Sequence, residues 1–342
     1  LEFRRVLFRS TTKMNQPLPV FTISIGDPSG IGPEVAVKAC ADESLHALAR
    51  WVIVGEAWQV AELAEQFGLT VDQVITDIDE LANDSRVAVL DAQQISRAEV
   101  TVAQVSAVCG EAAVNYVRIA TQLCIDGKSN AIVTAPINKE AVVATGREEF
   151  CGHTEFIADM CGRDTSRMLL VNDQLCVVHV TTHCSLFDAA TKIDIERIRR
   201  TIEIGHQAML HLGFESPRLC ICGLNPHAGE NGMFGDEESR LIAPAVALAR
   251  EQGIDITGPF PADTLFMQGV RGKCDMIVAM YHDQGHVPMK LLDFEHTVNV
   301  TLGLPIIRTS VDHGTAFDIA GQGVADPEDM KTAMRLAVKM SK

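Results

Sequence analysis

The stretch Leu175-Cys-Val-Val-His-Val-Thr-Thr182 has the composition of a buried β-strand, and His183 follows it directly. Two other short apolar runs end in the same way. His227 follows Leu219-Cys-Ile-Cys-Gly-Leu-Asn-Pro226, and His282 follows Met276-Ile-Val-Ala-Met-Tyr281. In an open α/β sheet, ligands bind in the crevice beyond the carboxyl ends of the strands. We therefore expect the three histidines to converge on one ion and the protein to be a metal-assisted enzyme.

A shared metal site is favoured because all three histidines stand at equivalent strand ends. Any one of them alone would more often be a hydrogen-bonded residue of a loop or a core. Three neutral imidazoles suit zinc, with magnesium, manganese or cobalt as alternatives, and they leave a position open for a substrate. Such an ion acts as a Lewis acid toward a coordinated hydroxyl or carbonyl group.

Apolar, β-branched runs alternate with amphipathic helical segments from Val20 onward. This alternation predicts βα units around a largely parallel sheet, and therefore an α/β fold. The predicted strands span residues 20–25, 51–54, 87–90, 131–134, 175–182, 218–224, 276–281 and 297–301. The predicted helices span residues 32–40, 57–67, 102–126, 154–160, 195–212 and 237–252.

At 342 residues, the chain has room for two α/β/α domains. Loops rich in glycine and proline, at residues 134–139 and 298–305, are the predicted crossing points. The first domain is predicted to contain residues 14–138 and 298–342, and the second residues 139–297. Residues 1–13 are rich in basic side chains and precede Met14. We expect them to be a leader foreign to the fold, with a transit peptide as the alternative.

Composition excludes several classes of partner. A formal net charge of −16 argues against nucleic acid and against an anionic membrane surface, both of which attract clustered lysine and arginine. No apolar stretch approaches the length of a membrane span. The ten cysteines are scattered without paired Cys-x-x-Cys elements, which indicates reduced core residues and a cytoplasmic location. A small anionic substrate remains compatible with a local basic pocket.

Polar and cationic residues within apolar sequence indicate an anion-binding site. Lys290, Asn299 and Arg308 either reach out to solvent or converge on an anion, and the position of Arg308 directly after Leu304-Pro-Ile-Ile307 favours convergence. His153 and Thr154 stand at a predicted helix start, where they either donate to an anionic group or simply cap the helix. A phosphate or a carboxylate is the expected ligand.

Two further motifs have a functional and a purely structural interpretation. Asp263, in Pro259-Phe-Pro-Ala-Asp-Thr264, either orients a ligating imidazole or handles a proton, or it caps the next helix. The turn Ile25-Gly-Asp-Pro-Ser-Gly-Ile-Gly-Pro-Glu34 suits the close approach of a ligand, or it is a tight strand-to-helix turn without one. Its spacing is not that of the usual dinucleotide-binding fingerprint.

The assembled motifs resemble the 4-hydroxythreonine-4-phosphate dehydrogenase family, and the resemblance extends over nearly the whole chain from Val20 onward. The blocks that carry it are Gly26-Asp-Pro-Ser-Gly-Ile-Gly-Pro-Glu34, Thr134-Ala-Pro-Ile-Asn-Lys139, Gly152-His-Thr-Glu155, Thr181-Thr-His183, Gly223-Leu-Asn-Pro-His-Ala-Gly-Glu230, Pro261-Ala-Asp-Thr264, Tyr281-His-Asp-Gln-Gly285 and Ile307-Arg-Thr-Ser-Val-Asp-His-Gly-Thr315.

The resemblance implies a homodimer whose active sites are shared across the subunits. It implies a divalent ion held by ligands from both subunits, namely His183, His227 and His282. It also implies substrate contacts from His153, Thr154, Lys290, Asn299 and Arg308, with Asp263 beside the metal. We take Asp263 and Lys290 as the candidate catalytic residues.

The wider fold resembles that of isocitrate and isopropylmalate dehydrogenases, which implies an active site in the cleft between the domains. Their NAD-binding loop is similar to His313-Gly-Thr-Ala-Phe-Asp-Ile-Ala-Gly321. NAD or NADP is therefore the implied cofactor. Its candidate contacts are His313, Gly314, Thr315, Asp318 and Gly321.

The implied reaction is the oxidation and decarboxylation of a 4-phosphorylated four-carbon hydroxy acid, converting 4-phospho-hydroxy-L-threonine to 3-amino-2-oxopropyl phosphate as in pyridoxine biosynthesis. The alternative is D-threonate or D-erythronate 4-phosphate, which gives dihydroxyacetone phosphate. Two stretches look closer to that branch: Asn231-Gly-Met-Phe-Gly-Asp236 and His286-Val-Pro-Met-Lys-Leu-Leu292. Alternatives of other classes are a metal-dependent hydrolase of a phosphorylated metabolite, which uses the ion to activate water, and a catalytically silent metabolite-binding protein.

Overall fold

A computed structural model describes residues 18–163, 165–294 and 296–342. This part of the chain forms two compact units. We name Arg167–Gly303 the middle unit, and residues 18–166 together with Leu304–Lys342 the terminal unit. The predicted leader, residues 1–13, lies outside the described residues. The predicted domain boundaries, after residues 138 and 297, stay a prediction.

The strands follow the chain in order. They are β1 (Val20–Ser24), β2 (Arg50–Gly55), β3 (Gln73–Ile75), β4 (Val87–Asp91), β5 (Ala131–Thr134), β6 (Arg167–Val171), β7 (Cys176–His179), β8 (Leu219–Cys222), β9 (Ile256–Phe260), β10 (Met276–Ala279), β11 (Val298–Leu302) and β12 (Ile307–Ser310).

The α-helices connect these strands. They are α1 (Gly32–Cys40), α2 (Glu43–His46), α3 (Ala57–Phe67), α4 (Ala107–Ile125), α5 (Lys139–Val143), α6 (His153–Met160), α7 (Leu186–Lys192), α8 (Ile195–His211), α9 (Ala243–Glu251), α10 (Ala262–Val270), α11 (His282–Leu292) and α12 (Glu328–Met340). Short 3-10 turns lie at Ile78–Glu80 and Arg97–Glu99, and an irregular turn with positive φ values spans Pro226–Gly232. A π-helical turn, Glu238–Ile242, leads into α9.

In the terminal unit the strand order is β3-β4-β2-β1-β5-β12. Every pairing in this order is parallel. The central strands are buried over nearly their whole length, since β1 and β2 each have only their first residue partly exposed. Such continuous burial is typical of parallel strands that are covered on both faces, and it explains why their sequences are uninterrupted apolar runs.

In the middle unit the strand order is β11-β6-β7-β10-β8-β9. β7, β10, β8 and β9 pair in parallel, whereas β11, β6 and β7 pair antiparallel. β7, β8 and β10 are buried at all four positions. The predicted α/β class with a largely parallel sheet is thereby confirmed.

Some elements differ from the prediction. The predicted helix over residues 102–126 begins only at Ala107, because Ala103 has φ near +62°, a left-handed value that cannot continue a right-handed helix. The strands β3, β6, β9 and β12 were not predicted. β12 contains the buried cation Arg308, which interrupts the apolar pattern used to recognise strands.

An ion pair in the terminal unit fixes the segment that precedes α12. Lys38 Nζ lies 2.7 Å from Glu34 Oε1 on α1 and donates to the carbonyl oxygens of Gly323 and Ala325. Glu34 Oε1 also accepts a 2.8 Å hydrogen bond from the Ala325 amide. Glu34 is only 4% exposed, so its charge depends on these partners.

We predict that Lys38→Met lowers the free energy of unfolding by about 3 kcal/mol, because it leaves a buried carboxylate without its counter-ion. The matched control is Lys128→Met, since Lys128 pairs at 2.8 Å with Asp79 where both side chains are exposed. That control should cost less than about 1 kcal/mol. Denaturant unfolding measures both changes, and equal costs would contradict the role given to Lys38.

Candidate active site

The middle unit carries the histidines that follow the parallel strands. β7 and β10 are hydrogen-bonded neighbours, and His179 of β7 is level with Ala279 of β10. His183 lies in the loop after β7, and His282 is the first residue of α11, directly after β10. Because parallel strands end at the same edge of a sheet, the two rings come together, with 5.8 Å between their centroids.

A neighbouring carboxylate fixes the proton on His282. Its Nδ1 lies 2.7 Å from Asp283 Oδ1, and a carboxylate only accepts hydrogen bonds. Nδ1 therefore donates, and Nε2 is the ring nitrogen left for another partner. Orientation of a ligating imidazole by a carboxylate on its other nitrogen is typical of metal sites.

His227 follows β8, which is the other parallel neighbour of β10. The backbone from His227 to Asn231 has positive φ at every residue, between 44° and 79°. For residues other than glycine, each left-handed position costs roughly 1–2 kcal/mol. The buried carboxylate of Glu238 contributes to holding this turn, because its oxygens accept hydrogen bonds from the amide and the side chain of Asn225.

Gly229 occupies a position in this left-handed turn where a side chain would not fit. A Cβ at this position would lie 2.6 Å from Glu238 Oε2. The glycine was visible in the motif, but the buried Glu238 was missed, because nothing distinguishes it in sequence from the adjacent acidic residues. The turn leaves His227 exposed, with its ring 6.1 Å from that of Phe234.

The structure brings together two of the three predicted ligands. Within residues 18–163, 165–294 and 296–342, no group of three or more His, Cys, Asp or Glu side chains is arranged to hold a metal ion. His183 and His282 nevertheless have the chemistry of a partial zinc site, since imidazole nitrogens suit zinc and Asp283 occupies only the Nδ1 of His282. The donor pair therefore fits a metal that takes its remaining ligands from outside this cluster.

The terminal unit contains a buried cation at the predicted anion site. Arg308 of β12 is 3% exposed, and its Nε and Nη2 donate to Thr134 Oγ1 at 3.2 and 2.7 Å. Burial lowers the pKa of Arg308 to about 10, and the nearby carboxylates of Glu155 and Asp312 oppose this effect. The guanidinium remains charged at neutral pH and provides a fixed positive group.

His153 lies near the same cation. Burial, followed by the charges of Arg308 and Lys139, holds the pKa of His153 well below its usual value, so the ring is neutral at physiological pH. Its Nε2 is buried and has no hydrogen-bond partner among the described residues. His153 and Thr154 are the first two residues of α6, where exposed amides and the helix dipole favour an anion. Together these groups suit a phosphate.

The remaining predicted substrate and catalytic residues lie in the middle unit. Lys290 is in the last turn of α11, with Nζ 5.3 Å from the ring centroid of Phe294. Asn299 of β11 has a buried Oδ1 that accepts no hydrogen bond from the described residues. Asp263 is exposed in the first turn of α10, and no described hydrogen bond joins it to the histidines.

The candidate cofactor loop packs on the glycine-rich turn that follows β1. The carbonyl oxygen of Thr315 accepts a 3.0 Å hydrogen bond from the Ile31 amide. A Cβ on Gly30 would lie 2.9 Å from the Thr315 Cβ, so glycine permits this close approach. The loop also contains the ring of His313, bonded to the Gly314 carbonyl at 3.0 Å, and the exposed Asp318.

Open space surrounds part of this loop. A Cβ built on Gly314 would meet no described atom within 4 Å, and Gly321 has φ near +75°, a conformation that glycine adopts without strain. The glycine-rich turn of β1 thus supports a second loop by close backbone packing. This role differs from the direct ligand contact that its sequence also allowed.

Comparison with known proteins identifies related chains along almost the whole length. The family model described as pyridoxal phosphate biosynthetic protein PdxA matches residues 47–337. A D-threonate 4-phosphate dehydrogenase from Cupriavidus necator is 45% identical over 331 residues, which cover 96% of this chain and 99% of that protein. A 4-hydroxythreonine-4-phosphate dehydrogenase from Beijerinckia indica is 44% identical over 328 residues, 96% of each chain.

A solved structure agrees with these sequence relatives. The crystal structure of a 4-hydroxythreonine-4-phosphate dehydrogenase from Burkholderia phymatum superposes with a TM-score of 0.81 at 46% identity, covering 95% of this chain and 99% of that one. In the part of the chain that the structure describes, none of the helices is both long and apolar enough to span a bilayer.

We predict that inorganic phosphate stabilises the protein and that Arg308→Met removes most of this effect. At a phosphate concentration ten times the dissociation constant, binding adds about 1.4 kcal/mol to the free energy of unfolding. A roughly tenfold weaker affinity reduces that gain to about 0.4 kcal/mol. The measured quantity is the shift of each variant's own thermal midpoint with phosphate. The control is Arg118→Met, at an exposed arginine of α4. Equal phosphate shifts in all three proteins would refute the assignment.

Proposed function

Since the chain belongs to the PdxA family of dehydrogenases, we propose that it oxidises and decarboxylates a 4-phosphorylated four-carbon hydroxy acid, using NAD and a divalent metal ion. Membership confirms the resemblance seen in the sequence, and also the prediction of an oxidoreductase. The observation that carries the proposal is the pair of imidazoles, His183 and His282, at the ends of adjacent parallel strands.

Two substrates fit this class and differ in one group beside the carboxylate. 4-Phospho-hydroxy-L-threonine has an amino group there, and D-threonate or D-erythronate 4-phosphate has a hydroxyl. Relatives named for the first substrate and for D-threonate 4-phosphate are equally similar to this chain, at 44% and 45% identity. The stretches 231–236 and 286–292 look closer to the D-threonate or D-erythronate 4-phosphate branch, whose product is dihydroxyacetone phosphate. Of the two, we choose D-threonate 4-phosphate because similar proteins carry that name.

The residues of the terminal unit would bind the phosphate. Arg308 supplies a buried charge, and His153 supplies a neutral ring whose buried Nε2 has no partner among the described residues and would accept a hydrogen bond from the ligand. Thr154 adds a hydroxyl at the start of α6. Binding energy from this remote group would orient the reacting carbons, because the phosphate itself takes no part in the chemistry.

The residues of the middle unit would act at the reacting end. His183, His227 and His282 would hold a divalent ion, with zinc as our first choice, and such an ion supplies charge withdrawal from the substrate oxygens. Asn299 has a buried Oδ1 ready for a donor group. We assign Asp263 and Lys290 to two proton transfers, one from the substrate hydroxyl and one to the product. Loss of hydride and then of carbon dioxide gives the ketone.

The loop from His313 to Gly321 would bind the nicotinamide cofactor, which accepts the hydride. Support comes from the open space at Gly314 and from the exposed carboxylate of Asp318, which suits ribose hydroxyls. We propose NAD rather than NADP. A cytoplasmic location agrees with the cysteines, all ten of which are free thiols.

We propose a homodimer in which His227 completes the metal site of a second copy. Each candidate ligand is followed by exposed apolar side chains: Phe187 after His183, Met233 after His227 and Leu291 after His282, at 89%, 73% and 83% exposure. Large apolar groups exposed around a site indicate a protein–protein interface. The exposed, strained turn that carries His227 would thus be buried by association.

The central prediction is metal-dependent formation of NADH. The assay compares 4-phospho-hydroxy-L-threonine, D-threonate 4-phosphate and D-erythronate 4-phosphate, each with NAD or NADP. D-Threonate 4-phosphate should be the best substrate, a chelator should abolish activity, and added divalent metal should restore it. Inactivity on all three with metal present would refute the proposal. Release of phosphate without NADH would instead support the hydrolase alternative.

A subunit-mixing experiment tests the shared site. His183→Ala and His227→Ala should each be inactive alone. After unfolding and refolding together, their hybrid dimers should contain one intact site, which gives about a quarter of the parental activity for random pairing in a symmetric dimer. Mixing His183→Ala with His282→Ala is the control and should restore nothing, because these two ligands come from one copy. Any other pattern contradicts the arrangement.

A further inference from the structure

A row of imidazole rings extends from the candidate ligand His282 into the core of the middle unit. The ring of His286 is stacked on that of His282, with 3.6 Å between centroids and 10° between planes. The ring of His179 lies next, 4.7 Å from that of His286. We name His179, His286 and His282 the imidazole row.

Backbone carbonyl groups fix the two inner rings. His286 Nδ1 lies 3.1 Å from the carbonyl oxygen of His282, one turn earlier in α11. His179 Nδ1 lies 3.3 Å from the carbonyl oxygen of Met168 in β6. Since a carbonyl oxygen only accepts, Nδ1 is the donor in both rings. The orientation of each ring is therefore set by the backbone beside it.

Packing alone does not explain two histidines at these positions. His179 is completely buried and His286 is 6% exposed. Burial lowers the pKa of His179 to about 3, so this ring is neutral. Its Nε2 is buried without a hydrogen-bond partner among the described residues. Burying a polar nitrogen in this way costs free energy that an apolar side chain of similar size would not.

Gly285 adapts the backbone to the row. A Cβ on this residue would lie 2.2 Å from His179 Nε2 and 2.9 Å from Val177 Cγ1. Only glycine leaves space for the His179 ring against the first turn of α11. Gly285 thus leaves space for the His179 ring in the core, and His286 places a second imidazole against the ring of His282.

We propose that His286, supported by His179, is a positioning residue for the metal ligand His282. The ring of His286 packs flat against that of His282, and its Nδ1 donates a hydrogen bond to the His282 carbonyl oxygen. Both the ring and the backbone of His282 are therefore restrained. Asp283 accepts a hydrogen bond from Nδ1 of His282, and the stacked ring of His286 fixes the plane of the His282 ring. Nε2 would then be the atom that binds the ion. This inference rests on the metal site of the proposed function.

Cobalt binding tests the inference without an activity assay. The full chain is stripped of metal and titrated with Co²⁺, whose visible absorption reports the ligand geometry, and affinity is measured by competition with a chelator. His286→Leu should weaken Co²⁺ binding by about 10- to 100-fold, the usual effect of losing a partner of a ligand, and should change the absorption bands. His286→Phe keeps a stacked ring without the hydrogen bond and should weaken binding less.

The matched control is His46→Leu. The ring of His46 is also bonded to a backbone carbonyl, with Nε2 2.7 Å from the Cys40 oxygen, but it lies in α2 of the terminal unit. This variant should bind Co²⁺ as the parent does. If either folded His286 variant bound Co²⁺ with the parental affinity and spectrum, the inference would be overturned but the proposed metal site would stand. Equal weakening of Co²⁺ binding by His46→Leu would have the same consequence. A parent that binds no Co²⁺ would overturn the proposed metal site together with the inference.

Discussion

The parallel pairing of β7 with β10, and of β10 with β8, is the constraint on which the candidate site depends. It brings the carboxyl ends of three buried strands to one edge of the sheet, so the residues that follow β7, β8 and β10 all begin at that edge. Two of the three following histidines meet there, and the third stands on an exposed turn. The sheet supplies a rigid support, and the loops supply the chemistry.

The two units differ in the polar side chains that form their candidate sites. The terminal unit keeps Arg308 charged inside the protein by giving its guanidinium a hydroxyl acceptor and nearby carboxylates, and it keeps His153 neutral beside that charge. The middle unit instead gathers several imidazoles around His282. A fixed cation suits a phosphate, whereas imidazole nitrogens suit a metal ion, which agrees with the substrate and cofactor that we propose.

Much of the fold was predictable because buried parallel strands leave continuous apolar runs in sequence. β1, β5, β7 and β10 were recognised in this way, since each is a short run that contains β-branched residues and is too short for an ordinary helix. β12 was not predicted because the buried Arg308 interrupts its apolar pattern, and the short β3 has too few residues to show a pattern.

The candidate site was predictable only as far as its residues stand directly after strands. His183, His227 and His282 carry that signal, and so does Arg308 after its apolar run. His179 and His286 do not, because a histidine inside a strand or a helix gives no indication of its neighbours across the sheet. The left-handed turn at His227 was equally hidden, since four of its five positive-φ residues are not glycine and the buried Glu238 beside it lies further along the chain.

The exposed side chains of Phe187, Met233 and Leu291 also have a thermodynamic consequence. If imidazoles of two copies share an ion, each equilibrium acts on the other: the ion tightens the association of the copies, and association tightens the hold on the ion by the same factor. Dilution and chelation then become two routes to one dissociated state, and the amount of working enzyme responds to protein concentration as well as to metal supply.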